Sequence, residues 1–155
     1  MSEVTLRLVN EKEFNQFLEE EKVRYAHNVA KSRNISFEEA FERGSKQIEE
    51  LLSEGIHTPS HYVFLVEGQE QVIGNVWLYI NEENHSSFLY NIFIDENKQG
   101  KGFGTAALKE AEKWLKEKGV KSFGLHVFAH NTGAKRLYER LGFEVTSVNM
   151  MKKFN

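Results

Sequence analysis

The 155-residue chain has no cysteine and a single proline, and neither sign of charge dominates it, with 20 basic against 23 acidic residues. Without cysteine there is no disulfide scaffold, no thiolate chemistry and no cysteine-ligated zinc. No apolar run approaches the roughly 20 residues that a membrane helix needs. The opening MSEVTLRLVN lacks the basic-then-apolar order of a secretory signal. Repeats, low-complexity tracts and linkers are also missing. These absences lead us to expect one domain over residues 1–155, working in the cytoplasm as a monomer or homodimer, with no membrane partner. A chain of this length buries roughly 68–70% of its unfolded surface, enough for a core without staples.

The net charge of −3 hides an uneven distribution. Residues 98–155 carry +7, and the rest of the chain carries −10. Such asymmetry fits an anionic ligand near one end and a cationic one elsewhere, or a solvated lysine-rich helix. The positive stretch is too modest, in an acidic protein, to suggest nucleic acid.

Val4, Leu6 and Leu8 alternate as in a strand. Asn10 and Glu13 have capping-box spacing, and Phe14, Phe17, Leu18, Glu21 and Tyr25 then recur at helical spacing. A second box, Ser36 with Glu39, opens a helix that Gly55 should end. His61–Val66 and Val72–Ile80 read as a hairpin across Gly68-Gln69-Glu70, and Ser87–Ile94 as a further strand. Gly102–Lys118 is helical, Ser122–Phe128 a strand and Ala134–Leu141 a short helix. Val145 to Lys153 supplies a last strand. The order βααβββαβαβ predicts an α/β (α+β) fold with a mixed sheet.

The densest chemical signal is Ile92-Phe93-Ile94 followed by Asp95-Glu96-Asn97-Lys98-Gln99-Gly100-Lys101-Gly102-Phe103-Gly104-Thr105. A strand runs into a loop with three alternate glycines, and a helix starts there. Glycine allows close backbone approach, and free N–H groups at a helix start attract phosphate oxygens. A plain tight turn would use the same glycines. A P-loop is excluded because Gly102, not Ser or Thr, follows Lys101. A Rossmann loop is excluded because Gly100, Gly102 and Gly104 have the wrong spacing and no acid follows at the required distance.

The remaining pattern is Gln-x-x-Gly-x-Gly at Gln99, Gly102 and Gly104, with a second block from Leu125-His126-Val127-Phe128-Ala129-His130-Asn131 to Leu137-Tyr138-Glu139-Arg140-Leu141-Gly142-Phe143. Together they resemble the GCN5-related N-acetyltransferase (GNAT) family, and small bacterial members in particular. The resemblance covers the chain from about Tyr62 to the C-terminus. It implies a mostly antiparallel sheet flanked by helices, splayed between two parallel strands, and acetyl transfer from acetyl-CoA to an amine by direct attack. Backbone groups of Ile92, Phe93 and Ile94 would then pair with the pantetheine arm. Gln99, Gly100, Lys101, Gly102, Phe103, Gly104 and Thr105 would wrap the pyrophosphate. Asn131 would bond the pantetheine, and Tyr138 would protonate the departing thiolate. No metal is implied.

Each role has a structural alternative. Asn131 is also a good helix N-cap, and Tyr138 lies on an apolar stripe between Leu137 and Leu141. The base is less defined, because Leu89-Tyr90-Asn91 contributes no carboxylate. His126 stands on the opposite sheet face from Leu125 and Val127, and it is either the base or a strand histidine satisfied by its neighbours. A non-catalytic acyl-CoA-binding module is the rival class. The acceptor should be positioned by residues 11–60 and the loop at His57–His61. Residues 61–97 hold no lysine or arginine, which suits a cationic acceptor.

Overall fold

Alternation and helical spacing are realised in a five-stranded sheet of order β1-β2-β3-β4-β5, seen in a computed structural model that describes residues 3–155. The strands are β1 (Thr5–Leu8), β2 (His61–Gly68), β3 (Gln71–Asn81), β4 (Ser86–Ile94) and β5 (Ser122–Leu125). The first four pair antiparallel, and β5 pairs parallel to β4. Four helices flank the sheet: α1 (Glu11–Arg33), α2 (Phe37–Leu51), α3 (Phe103–Glu117) and α4 (Thr132–Arg140). No helix among the described residues is long and apolar enough to cross a membrane.

Period-2 alternation along the strands divides the core between the two sheet faces. On one face, Phe64, Val66, Val76, Leu78, Leu89 and Ile94 meet Phe103, Ala107, Leu108 and Leu115 of α3. Leu137, Tyr138 and Leu141 of α4 pack against the same cluster. On the other face, Val63 and Trp77 meet Phe14 and Phe17 of α1 and Ile48 of α2. Burying a side chain of this size contributes roughly 1.5–3 kcal/mol.

The ends of the elements follow local chemistry. The capping box at Asn10 is complete: its side chain accepts from Glu13 N–H at 2.8 Å, and Glu13 Oε1 accepts from Asn10 N–H at 3.0 Å. At Ser36 only half of the box forms. Its hydroxyl accepts from Glu39 N–H at 3.1 Å, while the Glu39 carboxylate turns to Arg43 at 3.0 Å. Helix α2 stops at Leu51, before Gly55, which takes φ +59° and opens a short 3-10 turn. In the β2–β3 hairpin Gly68 stays in the strand. Gln69 and Glu70 take φ of +54° and +62°, the left-handed pair that matches strand twist.

Two expected strands are corrected. β5 ends at Leu125 and does not reach Phe128, because β4 offers it no partner beyond Leu89. The strand expected over Val145–Lys153 is absent: the segment lies off the sheet, and its side chains are exposed.

Candidate active site

The site begins where β4 and β5 separate. Their parallel pairing runs from Ser86 opposite Ser122 to Leu89 opposite Leu125 and goes no further. β4 continues alone beside β3, with Ile92 opposite Val76, Phe93 opposite Asn75 and Ile94 opposite Gly74. The register shifts where Trp77 pairs with Asn91 and Leu78 with Leu89, so Tyr90 is the extra residue of a bulge. Among the described residues, no strand therefore pairs with the β4 edge at Ile92–Ile94 that faces β5. Beyond β5 the chain swings toward α1, where the Phe128 ring lies 6.4 Å from Tyr25.

This edge leads into the glycine loop. Gln99 Nε2 donates to the Ile94 carbonyl at 2.8 Å, and Lys98 Nζ donates to Gln69 Oε1 at 2.9 Å, fastening the loop to the sheet. Gly100 and Gly102 adopt φ of +75° and +86°, which L side chains rarely take. A Cβ at Gly100 would meet nothing within 4 Å, so that face of the loop is open. Gly102 caps α3 without a side-chain hydrogen bond, and the first N–H groups of a helix have no partner within it. Gly104 closes the loop against α4: a Cβ there would lie 3.8 Å from Leu137 Cδ2. An open, N–H-lined turn at a helix start beside an unpaired strand edge fits a long ligand with both amide and phosphate groups, as coenzyme A has.

On α4, Asn131 Oδ1 accepts from Ala134 N–H at 3.3 Å, so its side chain does cap the helix. Tyr138 is half-buried against the α3-side core, with its ring 5.8 Å from Phe143. Burial pushes its phenol above the ordinary value and keeps it protonated.

The opposite face holds a second set of groups. His126 is exposed just past the end of β5 and stands edge-on to Phe128 at 4.8 Å, on the side of α1. Tyr90 stacks on Trp77 at 4.7 Å, with Phe88 at 4.8 Å and His61 at 5.7 Å. Asn91 Nδ2 donates to Asn75 Oδ1 at 2.6 Å. His57 and His61 line a pocket of about 300 Å³ with Val9, Phe14 and Ile56. No cluster of three metal-binding side chains occurs among the described residues.

Sequence reasoning passed over the polar pair beneath this face. Glu21 on α1 is 5% exposed, and its carboxylate lies 3.4 Å from Arg24 Nε. Burial outweighs the guanidinium and raises the Glu21 carboxyl to about 7. The Arg24 guanidinium sits 4.2 Å over the Phe93 ring, and its Nη2 is buried without a hydrogen-bond partner. The available signal was an acid on the apolar stripe of α1.

A splayed parallel strand pair feeding a glycine-rich helix start defines an acyl-CoA-dependent transferase. The acetyltransferase (GNAT) family model matches residues 23–143, and the chain belongs to that family. An uncharacterized N-acetyltransferase of Bacillus subtilis, YycN, is 29% identical over 97% of this chain and 98% of its own length. The YycN crystal structure superposes with a TM-score of 0.93, covering 98% of this chain and 99% of that one. A spermidine N(1)-acetyltransferase of Vibrio cholerae is 34% identical over 81% of this chain and 75% of its own length. The chain is accordingly an N-acetyltransferase, with acetyl-CoA as donor and an amine as acceptor.

Proposed function

We propose that residues 1–155 act as one cytoplasmic acetyltransferase domain whose acceptor is a cationic amine, such as a polyamine. The observation that carries this reading is the unpaired Ile92–Ile94 edge running into the open Gly100–Gly104 turn. Backbone groups of Ile92, Phe93 and Ile94 bind the pantetheine amides as an added strand would. The loop from Gln99 through Gly100, Lys101, Gly102, Phe103 and Gly104 to Thr105 holds the pyrophosphate on backbone N–H groups, and the Gln99 side chain keeps the loop in place. Asn131 both caps α4 and bonds the pantetheine.

Acetyl-CoA supplies an activated thioester. Tyr138 Oη carries the proton that the departing sulfur needs, and burial keeps that proton in place. His126 takes the proton of the incoming amine, directly or through water, from the opposite face. Three observations favour a cationic acceptor. Residues 61–97 contain no basic side chain, the second face presents aromatic rings, and a spermidine acetyltransferase is among the relatives.

Thiol release from acetyl-CoA, measured over a panel of polyamines, monoamines and neutral aryl amines, tests the proposal. Polyamines should give a kcat/KM at least tenfold above that of neutral amines. Equal or better turnover of the neutral amines would overturn the cationic assignment.

A further inference from the structure

Past Leu89 and Leu125, no ladder among the described residues fixes the distance between the two sides of the site. One side is the β4 edge at Ile92–Ile94, and the other is the run from His126 to Asn131. Adjacent residues of α1 reach both. The Arg24 guanidinium lies 4.2 Å over the Phe93 ring, and the Tyr25 ring lies 6.4 Å from Phe128. One turn further on, Asn28 Oδ1 is 3.3 Å from His130 Nε2, a hydrogen bond when that nitrogen carries the proton.

Each of these contacts is itself held. Glu21 Oε1 lies 3.4 Å from Arg24 Nε and Glu20 Oε2 lies 3.7 Å from Nη1, so two acidic side chains of α1 keep the guanidinium in place. Asn28 Nδ2 donates to the Arg24 carbonyl at 3.2 Å, which leaves the amide oxygen for His130. Tyr25 donates to Gln47 Oε1 of α2 at 3.2 Å, and a Cβ at Gly44 would come within 2.9 Å of its Cδ2. On the far side, Asn131 N–H donates to the Phe128 carbonyl at 2.9 Å, so the seat of Phe128 on α1 places Asn131.

Arg24 is a costly residue at this position, because its Nη2 is buried without a hydrogen-bond partner. A methionine would cover Phe93 without stranding a donor. What the charged group adds is direction: a planar cation is drawn to the face of the ring, and its ion pairs fix it to the helix.

We propose that α1 is a strut across the window, and that Arg24 and Asn28 are positioning residues that hold the Ile92–Ile94 edge and the Asn131 turn at the separation acetyl-CoA needs. The strut rests on the proposed function, in which both sides bind the cofactor. The helix on the acceptor side thereby sets affinity for the donor. A site whose two sides are already in place binds more tightly, because the ligand does not have to order them. Loss of either end of the strut should cost donor affinity, and loss of the second end should add little.

Calorimetric titration with acetyl-CoA tests it. Arg24→Met and Asn28→Leu preserve side-chain bulk and helix propensity. In each, the Kd for acetyl-CoA should rise about tenfold while the melting temperature stays within a few degrees of wild type. The double variant should lose much less than the product of the two, since both ends serve one constraint. Val4→Ala removes buried volume beside β1, at the other edge of the sheet, and should lower the melting temperature with no change in Kd. Wild-type Kd in either single variant, multiplicative losses in the double variant, or an equal loss in Val4→Ala would overturn the strut. A separate measurement checks its foundation: the wild-type amide resonances of Ile92–Ile94 and Asn131 should shift when acetyl-CoA is added. Unmoved resonances would show that the cofactor binds elsewhere, and the strut would fall with that site.

Discussion

Trp77 Nε1 donates to His61 Nδ1 at 3.0 Å, across the paired strands β2 and β3. A ring nitrogen that accepts carries no proton, so His61 is neutral with its proton on Nε2. Burial acts in the same direction and lowers its pKa below the ordinary value. The unfolded chain therefore binds the proton more readily. This contribution to stability is present above the unfolded pKa, about 6.5, and is lost as pH falls toward the folded one. Melting temperature should drop between pH 7 and pH 5, and His61→Gln, which keeps an acceptor for Trp77 but cannot titrate, should remove part of that slope. An unaltered slope in calorimetry would place the titration elsewhere.

Glu21 works with the opposite sign. Its carboxyl, raised from 4.5 to about 7, favours the protonated folded state, so its contribution is present below pH 4.5 and lost as pH rises through 7. The shift corresponds to on the order of 3 kcal/mol. Glu21→Gln keeps an oxygen facing Arg24 and should raise the melting temperature at pH 8 while leaving it nearly unchanged at pH 4.5. Destabilisation at pH 8 would mean that the ion pair with Arg24 outweighs the cost of burial.

Gly102→Val bears on the loop. At φ +86° a β-branched residue is strained, by roughly 1–2 kcal/mol, and its side chain intrudes at the helix start. Wild type should gain several degrees of melting temperature at millimolar acetyl-CoA, and the variant should gain none. A full shift in the variant would move the phosphate site off this turn.

Tyr138→Phe separates packing from proton transfer. The ring keeps its contact with Phe143, so melting temperature and acetyl-CoA affinity should hold. Loss of a general acid typically costs about 10²–10⁴ in rate, and a thiolate is a fair leaving group, so a fall in kcat near 10² is expected. A loss under about threefold, with chemistry limiting, would assign Tyr138 to the core alone.

Gly74→Ala should be the most damaging small change in the sheet. A Cβ there would overlap the Phe93 carbonyl oxygen and lie 3.1 Å from Ile94 Cα, and backbone cannot move aside as a side chain can. A loss of about 3 kcal/mol or more in a denaturant titration is expected. A variant of wild-type stability would show that β3 and β4 can part locally.

Local signals carried much of this structure. Alternation located β1 to β4, the Asn10–Glu13 spacing started α1, and the three alternate glycines marked the start of α3. What stayed hidden depended on partners distant in sequence. The strand read to Phe128 stops at Leu125 because the bulge at Tyr90 and the end of pairing at Leu89 belong to β4, not to the residues that lose their partner. The strand read over Val145–Lys153 came from composition, and among the described residues no strand pairs with that segment. Glu21 appeared as one more stripe residue of α1, and only its depth and the placement of Arg24 over Phe93 reveal a perturbed carboxyl.

The end of pairing at Leu89 and Leu125 also makes the sheet a wall with a window. α3 and α4 lie on one side, α1 and α2 on the other, and the window joins the two sides. Donor and acceptor can thus arrive through separate doorways and be present together, with neither waiting for the other to leave. Such an enzyme should show intersecting, not parallel, double-reciprocal lines when the two substrates are varied against each other. Blocking one doorway should raise the KM of one substrate and spare that of the other.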